Sequence, residues 1–145
     1  MYKNDEIILI EDNPIESELA VKALRKGGAS GMIRILSDGA EALDYFFGMG
    51  KHKERKMNDL PKIVLLDLKI PKVSGLEVLD LIRSNRYTRN IPVIIFSSSG
   101  VASDIEEAYK KGANSYLLKP IDFNDYSMLL RSLSEYWLHF NKTAY

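Results

Sequence analysis

Cysteine is missing from all 145 residues, which excludes disulfides, thiolate metal centres and cysteine nucleophiles. Proline is sparse, at five, and a hydrophobic fraction of 46% leaves little room for a disordered half. Net charge is absent too. Twenty basic residues balance twenty acidic ones, so no overall field draws the chain to nucleic acid or to an anionic membrane, and neither is expected as a partner. No apolar run approaches the ~20 residues of a membrane-spanning helix. The opening Met1-Tyr2-Lys3-Asn4-Asp5-Glu6 carries no long apolar leader. A cysteine-free chain of this kind is expected in the cytoplasm, and its length suits a single domain that buries roughly two-thirds of its unfolded surface.

What the chain does have is alternation. Ile7-Ile8-Leu9-Ile10, the stretch 32–36, Ile63-Val64-Leu65-Leu66-Asp67, Pro92-Val93-Ile94-Ile95-Phe96 and Tyr116-Leu117-Leu118 read as strands. Segments of helical period lie between them. Asn13-Pro14-Ile15-Glu16 has an N-cap, a proline at the first helical position and a glutamate that closes a capping box. Leu19, Ala20, Ala23 and Leu24 then form one face, and Gly27-Gly28 stops the helix. A second helix is expected over about 40–47 after Asp38-Gly39, and a third over 75–83 with Leu76, Leu79 and Ile82 inward. Ser103-Asp104-Ile105-Glu106 reads as another capping box, with Gly112 closing that helix. Asp122 caps the last one, where Tyr126, Leu129, Leu130, Leu133, Tyr136, Trp137 and Phe140 make a broad apolar face. Five strand-helix units predict an α/β fold, a parallel sheet with helices on both faces joined by right-handed crossovers.

Four of these strands run onto polar groups: Glu11-Asp12, Asp67, Ser97 and Lys119-Pro120. In an open parallel sheet such tips meet at one edge, where ligands bind. Glu11, Asp12 and Asp67 would crowd like charges there, which protons or a cation must neutralise. Oxygen donors of this hardness suit magnesium. With Lys119 and Ser97 alongside, the set supplies the positioning and charge neutralisation that phosphoryl transfer to an aspartate needs. Each residue alone also has a plain structural reading, as a helix cap, a turn or a buried hydroxyl on backbone groups. Their joint place on successive strand tips favours chemistry. The basic stretch 48–61, with Lys51, His52, Lys53, Arg55 and Lys56, reads as a solvated loop or as a docking surface for an acidic partner.

The acidic pair Glu11-Asp12, Asp67 with Pro71 and Gly75 downstream, Ser97, Tyr116 and Lys119-Pro120 resemble, as a set, the signature of the receiver domain of two-component response regulators. The resemblance runs from about residue 7 to 140 and implies one receiver domain over 1–145 with no output domain. It implies a doubly wound, flavodoxin-like sheet of five strands in the order 2-1-3-4-5, and a chain that is a phosphoacceptor and not a metabolic enzyme. A histidine kinase would phosphorylate Asp67. Magnesium would be held by Asp12, Asp67 and the Lys69 backbone carbonyl, with Glu11 acting directly or through water. Lys119 would contact the phosphate through a side chain preceding a cis bond to Pro120, and Ser97 and Tyr116 would be the switch residues. Lys69 itself stands where the family commonly has a smaller or neutral side chain, so a second cation is expected near the phosphate. The opening Ile10-Glu11-Asp12-Asn13-Pro14, the long loop before the third strand and the ending Leu133-Ser134-Glu135-Tyr136-Trp137-Leu138 look like the small regulators paired with phytochrome kinases. Those regulators pair through the fourth helix, fifth strand and fifth helix, which makes Tyr136, Trp137 and Phe140 the candidates for a homodimer surface.

Two other classes compete. A haloacid-dehalogenase-like phosphatase also uses an aspartate nucleophile, but it carries a second aspartate two positions on, where this chain has Lys69. A degenerate receiver kept only as a scaffold is opposed by the intact Asp12, Asp67, Ser97 and Lys119.

Overall fold

The structure is a computed structural model that describes residues 5–145; Met1-Tyr2-Lys3-Asn4, part of the opening read above for a leader, lie outside it. In chain order the elements are β1 (Asp5–Ile10), α1 (Pro14–Lys26), β2 (Met32–Leu36), α2 (Gly39–Phe47), β3 (Ile63–Leu66), α3 (Gly75–Ser84), β4 (Val93–Ser97), α4 (Ala102–Lys110), β5 (Ser115–Leu118) and α5 (Phe123–Glu135). A short 3-10 turn, Gly50–His52, follows α2, and a π-helical turn, Tyr136–Phe140, continues α5. The five strands form one parallel sheet in the order β2-β1-β3-β4-β5. No helix among the described residues is long and apolar enough to cross a membrane.

Both faces of the sheet are covered, and this explains why the central strands are continuous apolar runs. Ile8 and Ile10 of β1, Val64 and Leu66 of β3, and Val93 and Ile95 of β4 enter the core layer shared with α2 and α3. Their neighbours Ile7, Leu9, Ile63, Leu65, Ile94 and Phe96 enter the opposite layer, with α1 and α5. Each fully buried aliphatic side chain contributes roughly 1.5–3 kcal/mol, so these three strands hold the frame that carries the site. Because β1 lies beside β3 in register, with Ile10 opposite Leu66, the two acidic tips come out side by side.

Local signals mostly act as their chemistry requires, with informative exceptions. Asn13 Oδ1 accepts from the amides of Ile15 and Glu16 at 2.9 and 3.2 Å, so it is the N-cap of α1. The reciprocal half of the expected capping box is supplied by Glu11, whose Oε2 accepts the Asn13 amide at 3.1 Å, and Glu16 turns elsewhere. Gly28, at φ +102°, closes the helix by donating to the Arg25 carbonyl. The capping box expected at Ser103 does not form. Helix α4 begins two residues earlier than that cap would set it, at Ala102, and its N-cap Val101 has no side-chain acceptor to offer. The expected cis bond between Lys119 and Pro120 is not found either, since the described residues contain no cis peptide.

The basic loop is partly folded in. The Arg55 guanidinium stacks 4.3 Å over the Tyr45 ring and donates to the carbonyls of Tyr45, Phe46 and Asp59 at 3.2, 3.4 and 2.7 Å, closing the end of α2. Lys51 pairs with Glu41 at 2.8 Å. Lys53 and Lys56 stay exposed.

Candidate functional site

Four strand ends converge at the carboxyl edge of the sheet. Strand β1 runs into Glu11 and Asp12, β3 into Asp67, β4 ends on Ser97, and β5 runs into Lys119. Glu11, Asp12 and Asp67 each offer a carboxylate oxygen, and these oxygens lie within 4.8 Å of one another. The Lys119 ammonium offsets their repulsion. Its Nζ sits 2.6 Å from Glu11 Oε1, 2.9 Å from Asp67 Oδ2 and 3.1 Å from Glu16 Oε1. The Lys119 amide donates to the Ser97 carbonyl at 2.8 Å, carrying the β4–β5 ladder one step past the strands and aiming the side chain back across the edge. The Phe96 ring lies 5.7 Å below the ammonium.

The charges are unevenly satisfied. Burial opposes the positive charge of Lys119, yet hydrogen bonds and attraction from Asp67 and Glu11 outweigh it and hold the ammonium protonated well above the ordinary lysine range. Glu11, only 5% exposed, is pushed up from the usual carboxylate range by burial, and its bonds to Lys119 and Asn13 offset only part of that. The two directions are compatible because one ammonium gains from three carboxylates while each carboxylate has a share of one ammonium. Asp12 is exposed and Asp67 half-buried. Asp67 Oδ1 accepts the Lys69 amide at 3.2 Å, whereas the Lys69 side chain is exposed, so its backbone and not its ammonium meets the carboxylate.

Ser97 is completely buried, and its Oγ accepts the Ser99 amide at 3.1 Å. Tyr116 packs against the α2–α3 layer and donates from its hydroxyl to the Ser99 carbonyl at 2.7 Å. The two expected switch residues are thus joined through a third that the sequence reading passed over. Glu16 was passed over as a site residue as well. Its place in the first turn of a helix that starts at the site is the available signal, but the capping-box pattern gave it a local role.

Tyr136 and Phe140 are 52% and 66% exposed, whereas Trp137 is half-buried against the α1–α5 layer. The three therefore do not share one free stripe. Tyr136 and Trp137, with Leu117, Leu129 and Leu133, line a groove between β5 and α5.

The donor set at the strand ends consists of the carboxylate oxygens of Glu11, Asp12 and Asp67, with no imidazole or thiolate among them. It fits a hard divalent cation. A sequence model of the response regulator receiver domain matches residues 7–131. The chain belongs to that family. It is 39% identical over 137 residues to the probable methanogenesis regulatory protein FilR2 of Methanothrix harundinacea, covering 94% of this chain and 86% of that one. Response regulator Rcp1 of Synechocystis sp. is 30% identical over 132 residues, 91% of this chain and 88% of its own. The phosphorylated cyanobacterial phytochrome response regulator RcpA superposes with a TM-score of 0.90 at 29% identity, over 98% of this receiver and 99% of its own chain. The Mn(2+)-bound form of Rcp1 superposes with a TM-score of 0.88 at 28% identity, over 97% and 99%. The doubly wound fold, the order 2-1-3-4-5 and the resemblance to phytochrome-associated regulators are therefore borne out. Receivers bind a divalent cation and act with histidine kinases in two-component signalling.

Proposed function

We propose that residues 1–145 work as one receiver unit that accepts a phosphoryl group on Asp67 from a sensor histidine kinase of phytochrome type. The observation that carries this reading is the Lys119 ammonium, held between Asp67 Oδ2 and Glu11 Oε1 at a strand edge where acidic oxygens crowd. Magnesium is the proposed cation, with Glu11, Asp12, Asp67 and the Lys69 backbone carbonyl to hold it. When bound, it neutralises charge on the carboxylates and on the phosphoryl oxygens.

An Asp67 carboxylate oxygen attacks phosphorus, and the new O–P bond forms as the N–P bond to the kinase imidazole breaks, its electron pair returning to the ring nitrogen. Lys119 contacts a phosphoryl oxygen, and the Ser97 hydroxyl donates to another. Water later attacks the phosphorus of the acyl phosphate, releasing inorganic phosphate and restoring the carboxylate. The chain is a slow self-dephosphorylating switch and not a metabolic enzyme. It works in the cytoplasm and passes its signal by protein contact, without binding nucleic acid. Tyr136 and Phe140, beside the groove between β5 and α5, support a homodimer through α4, β5 and α5.

With magnesium and acetyl phosphate, mass spectrometry is expected to find one added phosphoryl group, and Asp67→Asn is expected to abolish it. Labelling that persists in this variant, or that needs no divalent cation, defeats the assignment.

A further inference from the structure

Ser99 lies two residues beyond β4 and is buried. Each of its three polar groups is tied to a different element. Its amide donates to Ser97 Oγ at the end of β4 (3.1 Å), its carbonyl accepts the Tyr116 hydroxyl from β5 (2.7 Å), and its own hydroxyl donates to Asp104 Oδ2 in the first turn of α4 (2.5 Å). Ser99 Oγ also accepts the Val101 amide at 3.4 Å. This last contact matters because Val101, the N-cap of α4, has no side-chain acceptor for the helix. The start of α4 is therefore tied to Ser99 and Asp104, which face each other across the β4–α4 loop.

Ser97 Oγ accepts through a lone pair, so its own proton remains available for donation. A hydroxyl pinned in this way is oriented before a phosphoryl oxygen arrives, and preorganised donors cost little reorganisation when charge appears. From this geometry we infer that Ser99 and Asp104 act as a positioning pair that fixes the Ser97 hydroxyl and transmits its engagement to α4. The inference rests on the proposed phosphorylation of Asp67. Loss of either partner leaves the Ser97 side chain in place but lets the loop that orients it drift. By linkage, whatever stabilises the arrangement that receives the phosphoryl group also raises the affinity for it.

The test uses beryllium trifluoride as a phosphoryl mimic with magnesium, on the wild type, Ser99→Ala, Asp104→Ala, the double variant and Ser99→Thr. Binding of the mimic is expected to weaken on the order of tenfold in either alanine variant, the range of a hydrogen bond to a charged group. The double variant is expected to be no worse than Ser99→Ala alone, since each single already removes the Ser99–Asp104 bond. Ser99→Thr, which keeps the hydroxyl, should restore affinity. Magnesium binding in the absence of the mimic should be equal in all five proteins, a readout that general loss of structure would move. At saturating mimic, amide resonances of α4 should shift in the wild type and much less in Ser99→Ala. Additive losses in the double variant, or unchanged affinity and unchanged α4 shifts in the singles, overturn the positioning role while leaving phosphorylation of Asp67 intact. A wild type that neither binds the mimic nor takes up phosphate removes both readings.

Discussion

Four carboxylates and one ammonium set the character of the site at the residue scale. Glu16 is the most exposed of the three acids around Lys119, and it adds field without being walled off from water. Glu16→Gln is expected to weaken magnesium binding by about two- to threefold, the small effect appropriate to a screened charge. Isothermal titration with magnesium measures it, and unchanged affinity would mean that Glu16 only holds Lys119. Away from the site, His52 stands edge-on to Tyr45 with ring centroids 5.3 Å apart. Burial, reinforced by the charges of Arg34 and Lys51, lowers its pKa below the ordinary value of 6.5. A histidine with a depressed folded-state pKa binds fewer protons than in the unfolded chain. Its contribution is therefore present above about pH 6.5 and is lost as pH falls through the folded value. Urea unfolding between pH 7.5 and 5 is expected to show stability declining on the acid side, with a shallower decline in His52→Gln.

At the scale of elements, the packing of helix starts against strand ends decides whether Asp67 is held where the chemistry needs it. Gly75 opens α3 directly against the loop after β3, and a Cβ there would lie 2.4 Å from the Asp67 carbonyl oxygen and 2.7 Å from Leu68 Cα. Both are backbone atoms that cannot swing aside. Gly75→Ala is therefore expected to destabilise the fold by roughly 1–3 kcal/mol, as overpacking does, since the ~1 kcal/mol gained in helix propensity offsets only part of it. Moving that backbone also moves the carboxylate, so labelling by acetyl phosphate should slow in the same variant. Wild-type stability with wild-type labelling would show that the loop yields at no cost.

For the whole molecule, the question is which surface remains unsatisfied once both faces of the sheet are covered. Tyr136 and Phe140 remain outside, on a π-helical turn, whereas Trp137 is partly absorbed into the α1–α5 layer. The roles of the three aromatics therefore separate. Tyr136→Ser with Phe140→Ser is expected to abolish dimers and change stability by less than about 0.5 kcal/mol, as exposed substitutions usually do. Trp137→Ala is expected to cost about 1–2 kcal/mol, less than a large-to-small change at a buried aromatic because its ring is only half covered. Sedimentation of unmodified and phosphorylated protein tests the pairing, with phosphorylation expected to shift the dimerisation constant. A monomer in every state at micromolar concentration defeats it.

Strands, most helix boundaries and the meeting of polar strand ends at one sheet edge were legible in the chain itself because they follow from local rules. Continuous apolar runs mark β1, β3 and β4, capping side chains mark α1 and α5, and parallel strands bring Glu11, Asp12, Asp67, Ser97 and Lys119 to one edge. Tertiary structure decided the contests that motif rules leave open. Glu16 had a local bond available at Asn13 and instead meets Lys119, over a hundred positions away, because Glu11 already holds the Asn13 amide. Ser103 could have capped α4, but the helix already starts at Ala102, where Ser99 bonds both the Val101 amide and Asp104. Arg55 reads as one more charge in a basic loop until the Tyr45 ring and the end of α2 are folded beneath it. For Glu16 a local hydrogen bond worth about 1 kcal/mol competes with a long-range charge pair of similar or greater strength. Only the folded chain determines which of those contacts can form.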